Sequence, residues 1–161
     1  LEYGAAHVAI RAGAAPQEPD NIVRPFVTFN WALYAAKAYI ARHGMPAGPQ
    51  DLVHHRFVGA ENEENRAPFY IWMRKHIPRE CVTFRITEPE AQQMAVQAGL
   101  GIGFFRLCDA ARNPDLVQIM PTQPDWDTPL WIVTHVDLNR TVKVQAFLAH
   151  LKKAALDWHA E

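Results

Sequence analysis

In "CVTFRI" (Cys81–Ile86), Val82, Phe84 and Ile86 alternate with Thr83, Arg85 and Thr87. A period of two predicts a strand with one buried face. "HVAIR" (His7–Arg11) reads as a short buried strand, with Val8 and Ile10 on one face. "FVTFNWALYAA" is rich in aromatic and β-branched residues and strand-like. It passes into "KAYIARHG", a short helix closed by Gly44, with Pro46 just beyond. "GPQDLVHH" is a helical turn before the strand "RFVGA". The polar "ENEENRAP" is a surface loop. "FYIWM", "IGFF", "LVQIM" and "PLWIVTHV" read as further strands.

Two helices have clearer signals. Thr87-x-x-Glu90 has the form of a capping box, with Pro89 tolerated in the first turn. Ala91, Met94, Ala95 and Ala98 follow it at helical spacing, and Gly99 is a natural left-handed stop. Near the C-terminus, Val144, Phe147, Leu148, Leu151, Ala155 and Trp158 form one apolar stripe. Strands and helices alternate throughout, so the class is α/β.

Gly99, Gly101 and Gly103 crowd into "AGLGIG" and raise the question of a phosphate loop. A dinucleotide fingerprint runs strand, glycines, helix, so that phosphate meets a helix N-terminus. Here the helix comes first, which presents the negative end of its dipole. The lysine and hydroxyl of a P-loop are also missing. The glycines therefore read as a helix stop and a tight entry into a buried strand. Small residues there also suit the rim of a ligand crevice beside strand ends.

Composition narrows the chemistry. Lys and Arg total 16 against 17 Asp and Glu, a formal charge of -1, with no basic stripe for gripping nucleic acid. The 161 residues contain no serine, which removes every serine-nucleophile mechanism. Cys81 and Cys108 lack metal-ligand spacing and read as reduced thiols. His54 and His55 are adjacent and so point about 100° apart on a helix, which argues against a shared metal. Glu61, Glu63 and Glu64 read as a solvated face, and Glu88 and Glu90 suit a helix N-terminus. Trp31, Tyr34, Tyr39, Phe69, Tyr70, Trp72, Phe104 and Phe105 are mostly core by spacing. No apolar run reaches the ~18–20 residues of a membrane helix. No catalytic set, metal site or cofactor motif emerges from these residues.

Several segments taken together resemble the effector-binding (substrate-binding) domain of LysR-type transcriptional regulators. "HVAIRAG" is similar to that family's D-[VIL]-A-I-R-x-G strand. "RPFVTFNWALYAAKAYIARHGMPAGPQDLVHHRFVG" is similar to its crossover strand, helix start, G-x-P turn and P-x-D-L-x-x-H segment. "TEPEAQQMAVQAGLGIG" resembles its D-P-E-A…A-x-A-G-L-G-I signature, and "PLWIVTHVDLNRTVKVQAFLAHL" its closing strand and helix. The order and spacing hold over nearly the whole chain. His7 stands where Asp is usual, Ala36-Lys37 where Ser-Pro is usual, and Phe105-Arg106 where Leu-Pro is common.

The resemblance implies a two-lobed α/β fold like the periplasmic binding proteins, with a cleft between the lobes. Lobe I is expected over 1–35 and 118–161, and lobe II over 36–117. By the resemblance, the family's leading strand and helix, and its helix-turn-helix, belong before Leu1. Lobe I is therefore expected to be incomplete at its N-terminus, with an exposed sheet edge or a strand borrowed from a neighbour. The implied function is non-enzymatic and cytoplasmic: a small-molecule effector in the cleft modulates DNA binding through a separate helix-turn-helix domain, in a homo-dimer or tetramer. The expected cleft residues are Arg11, Ala12, Gly13, Asn30, Trp31, Ala35, Ala36, Thr87, Glu88, Gly99, Gly101, Ile102 and Gly103. Backbone N–H groups near Thr87 are placed to hold an effector carboxylate. The alternative is a periplasmic solute-binding protein of the same fold, which would need export. An enzyme on this scaffold is the third reading, opposed by the lack of serine, of metal-ligand spacing and of paired catalytic acids.

Overall fold

Among residues 6–156, which the computed structural model describes, the chain forms eight strands and six α-helices. They fall into two units, one of residues 6–29 with 128–156 and one of 30–127. The expected lobe boundaries, after 35 and after 117, fall inside strands of the second unit.

The first unit is built on β1 (Ala9–Ala12), β2 (Asn21–Phe29) and β8 (Thr128–His135), in the order β1-β8-β2, with both pairings antiparallel. The β2–β8 register shifts between Pro25 and Val27, where a proline that lacks an N–H interrupts the ladder. α5 (Val136–Asn139) and α6 (Val142–Leu156) follow. Ile132 of β8 packs with Val144 and Leu148 of α6, and Val8, Phe26 and Leu151 border this core. The predicted apolar stripe of α6 holds at Val144, Leu148 and Ala155, but Phe147 is exposed and Trp158 lies outside the described residues. Ile10, expected to be buried, is 47% exposed, because β1 is an edge strand.

The second unit contains β3 (Trp31–Ala36), α1 (Lys37–His43), a 3₁₀ turn over Pro49–His54 and β4 (Phe57–Ala60). It continues through α2 (Pro68–His76), β5 (Val82–Ile86), α3 (Pro89–Gln97), β6 (Gly103–Arg106), α4 (Leu107–Ala111), β7 (Leu116–Gln118) and a 3₁₀ turn at Pro124–Trp126. β3 pairs antiparallel with β6 and β7, while β4 and β5 run parallel. A parallel bridge from Phe57 to Ile102 joins the two sheets. Ala32 to Ala36 are all buried, as expected of a strand covered on both faces. Leu33, Phe57, Phe69, Met73, Phe104 and Trp126 pack together on the α2 side, and Ala32, Val58, Val96 and Phe105 on the α3 side.

Three local expectations are corrected. "FYIWM" is the body of α2, not a strand: Pro68 occupies the first turn, and Phe69 and Met73, four residues apart, are buried on one face. Arg74, Lys75 and His76 in the last turn suit the negative end of its dipole. The capping box does not form, because α3 starts at Pro89 with Glu88 as its extended N-cap and no side-chain cap bond. The buried face of α3 is Gln92, Ala95 and Val96, and Met94 is 67% exposed. Gln92 tolerates burial because its amide accepts from the Tyr70 hydroxyl and donates to the Ile86 carbonyl at 2.7 Å. Gly99 ends the helix as expected, at φ +76°.

Candidate functional site

Parallel strands carry their C-terminal ends to the same edge of a sheet, the usual place for ligand contacts in α/β folds. β4 and β5 end together, with Ala60 opposite Ile86. The next residues, Glu61 and Thr87, therefore meet. The Glu61 N–H donates to the Ile86 carbonyl at 3.2 Å, and the Thr87 hydroxyl donates to a Glu61 carboxylate oxygen. Both side chains are exposed. α3 begins two residues after Thr87, so the positive end of its dipole lies beside this pair. Pro89 has no N–H, which leaves the amides of Glu90 and Ala91 as first-turn donors without a carbonyl one turn earlier.

The same end of the sheet carries Asn30 and Trp31, because Trp31 is paired with Arg106 at the end of β6. The Asn30 carbonyl accepts from Leu107 N–H at 3.1 Å, and Arg106 Nε donates to Asp109 Oδ2 at 2.6 Å. The Trp31 ring lies 4.3 Å from Phe69, centroid to centroid. Its indole N–H is buried with no acceptor among the described residues. A buried donor of this kind is uncommon and costly. This edge thus offers a hydroxyl and helix-end amides as donors, and the Glu61 and Glu88 carboxylates as acceptors, while the Trp31 indole N–H is sealed in the core beside it. The chemistry of such a set suits the hydrogen-bonding groups of a small polar molecule. Among the described residues, no three His, Cys, Asp or Glu side chains lie together as a metal set.

The remaining predicted residues lie elsewhere. Ala35, Ala36, Gly99, Gly101 and Ile102 are at the opposite end of the second unit's sheet. Ala35 and Ala36 face Val117 and Leu116 in register and are fully or nearly fully buried. A Cβ on Gly99 would lie 2.7 Å from Arg42 Nη2, and one on Gly101 would lie 2.9 Å from the Arg56 carbonyl oxygen. Ile102 is bonded on both sides, to Arg56 O and from Val58 N, each at 2.8 Å. Gly103, paired with Tyr34, is covered by Val96 of α3. These glycines admit close packing of the chain on itself. Arg11, Ala12 and Gly13 belong to the first unit, on and just after β1, where Gly13 N–H donates to Pro129 O at 2.9 Å and Gly13 O accepts from Trp131 Nε1 at 2.8 Å.

Sequence reading overlooked Glu61 as the partner of Thr87. The available signal was positional: each is the first residue beyond a predicted strand. It also left the P-x-D-L-x-x-H segment without a physical reason. In the structure, Asp51 Oδ2 accepts Ala47 N–H at 3.0 Å and lies 3.7 Å from His55 Nε2, Leu52 is buried in the core, and the other His55 nitrogen meets Tyr39.

Comparison with known proteins agrees with this architecture. The family model described as "LysR substrate binding domain" matches residues 1–156. The probable HTH-type transcriptional regulator LtrA of Klebsiella pneumoniae is 24% identical over 157 residues, covering 91% of this chain and 50% of that protein. The chain therefore spans half the length of that relative. The regulatory domain of CrgA from Neisseria meningitidis, a LysR-type transcriptional regulator, superposes with a TM-score of 0.72 at 18% identity, over 91% of this chain and 74% of that one. The regulatory domain of AphB from Vibrio vulnificus gives 0.70 at 18% identity, over 94% and 77%. These likenesses carry the fold, which is that of periplasmic-binding-protein-like LysR regulatory domains. With the family match running from residue 1 to residue 156, this chain belongs to the LysR substrate-binding domain family.

Proposed function

We propose that this domain senses a small organic molecule for a LysR-type transcriptional regulator, without catalysing a reaction on it. The family match over 1–156 supports the regulatory role, and the donor–acceptor pair Thr87–Glu61 at the ends of parallel strands supports the place where a polar effector binds. On this reading an effector carboxylate takes the Thr87 hydroxyl and the α3 amides, displacing Glu61. The regulator acts in the cytoplasm as a dimer or tetramer and reaches DNA through a separate helix-turn-helix domain. Binding changes transcription only if the effector prefers one of two arrangements of that assembly.

The test is a thermal-shift screen of this chain against small organic acids and aromatics. A ligand at a hundredfold excess over its Kd stabilises by about 2.7 kcal/mol, which shifts Tm measurably. A hit must then change the DNA affinity of the full-length regulator. Absence of any hit, or hits that leave DNA affinity untouched, would sink the proposal.

A further inference from the structure

A groove of about 250 Å³ opens between α2 and the β4–β5 sheet. Its apolar floor comes from Gly59, Met73, Ile77 and Val82, with the Tyr70 ring as a wall. Gly59 keeps the floor flat: a Cβ there would lie 2.9 Å from Val82 Cγ1 and 3.2 Å from Met73 Sδ. Arg74, Arg79 and Arg85 stand around it, with Glu63 as the single carboxylate in its walls. Glu63 pairs with Arg79 at 2.5 Å. Arg74 uses one Nη2 bond on the Asn65 carbonyl at 2.8 Å, and Arg85 one on the Arg79 carbonyl at 2.7 Å. Among the described residues neither Arg74 nor Arg85 has a carboxylate within ion-pair range. Each guanidinium carries five N–H donors, so both retain forks for an anion.

From this arrangement we infer a second ligand site, distinct from the Thr87–Glu61 edge, that takes a small aromatic carboxylate. The two uncompensated arginines supply the charge. The floor and the Tyr70 ring favour an apolar ring over a bare inorganic anion, and Met73 sulfur and the arginine faces add aromatic contacts. The cavity is slightly below the ~300 Å³ at which ordinary ligand pockets begin, which suits a single-ring acid. Thr87 and Glu61 are not among its walls.

The test is isothermal titration of the full chain with phenylacetate, with phenylacetamide and inorganic phosphate as comparators, alongside amide chemical-shift mapping. We expect saturable phenylacetate binding that perturbs Ala60, Arg74, Val82 and Arg85. Arg85→Met and Arg74→Met should each weaken it roughly tenfold, the loss of one charge-assisted contact. Thr87→Val should leave this binding unchanged, which separates the site from the proposed effector edge. Circular dichroism checks that the arginine variants fold, and because both residues are exposed, two independent variants carry the test. No saturable binding, arginine variants that bind like the parent, or phosphate or phenylacetamide binding as tightly as phenylacetate would each overturn the inference.

Discussion

Tyr39 and His55 meet at 3.1 Å between the phenol oxygen and Nδ1, deep in the second unit. The same oxygen accepts the Arg56 N–H at 2.9 Å. One hydroxyl thus ties α1 to the chain segment that enters β4. Tyr39 is fully buried and His55 nearly so, which leaves water no place to substitute for it. Removing the oxygen leaves a backbone donor and a ring nitrogen unpaired, at a cost of about 1–3 kcal/mol. Tyr39→Phe should therefore lower unfolding stability by that amount in urea titration. A change under about 0.5 kcal/mol would show that the network contributes little.

Alkaline pH should destabilise the second unit through Tyr70. Burial is the larger influence on this phenol and raises its pKa to about 12, against a smaller lowering by its bond to Gln92. The folded state therefore binds the phenolic proton more tightly than the unfolded chain, whose value is near 10.0. The stabilisation is fully present below pH 10 and is lost as pH rises from about 10 towards about 12. Tyr34 and Tyr39 are also raised by burial and act in the same direction. Unfolding free energy measured between pH 8 and pH 11.5 should fall in the upper half of that range, less steeply in Tyr70→Phe. An identical slope in the variant would remove Tyr70 from the account.

The glycines of "AGLGIG" should differ in why they resist substitution. Gly99 sits at φ +76°, so Gly99→Ala is strained by backbone conformation, at roughly 1 kcal/mol or more. Its nearest neighbour is the end of the flexible Arg42 side chain, whose Nη2 bonds the Gly99 carbonyl at 2.6 Å and can shift. Gly101 has no positive φ, but its added Cβ would meet the Arg56 carbonyl oxygen at 2.9 Å, and backbone cannot move aside. Gly101→Ala should cost about 1–3 kcal/mol by overpacking. Denaturant midpoints of the two variants check both values, and a neutral Gly101→Ala would contradict the packing argument.

Much of the fold was legible because its signals are local. The alternation in Val82–Ile86 and the Gly44 and Gly99 stops each depend on a few neighbouring residues, and each appears in the structure. "FYIWM" failed because a five-residue apolar run has the same composition in a buried strand and on a buried helix face. Only the longer window decides it, from Pro68 through the basic Arg74–His76 to Ile77. The Thr87-x-x-Glu90 pattern failed for a tertiary reason: the hydroxyl goes to Glu61, 26 residues earlier in the chain and adjacent only once β4 and β5 pair. The arginines around Gly59 were invisible for the same reason, since they converge from α2, β5 and the turn before it.

The Thr87–Glu61 pair yields the sharpest test of the proposed effector edge, because its two members should act in opposite directions. Both are exposed, so neither substitution should change unfolding stability by more than about 0.5 kcal/mol. Thr87→Val removes a donor to the ligand carboxylate and should weaken an acidic effector roughly tenfold. Glu61→Gln removes a negative charge that competes for the same hydroxyl and repels the incoming acid, so affinity should rise. Titration of each variant with an acid found in the thermal screen measures both. Should Glu61→Gln weaken binding as well, Glu61 would be a ligand contact in its own right, meeting a donor on the effector, and the displacement step would be wrong.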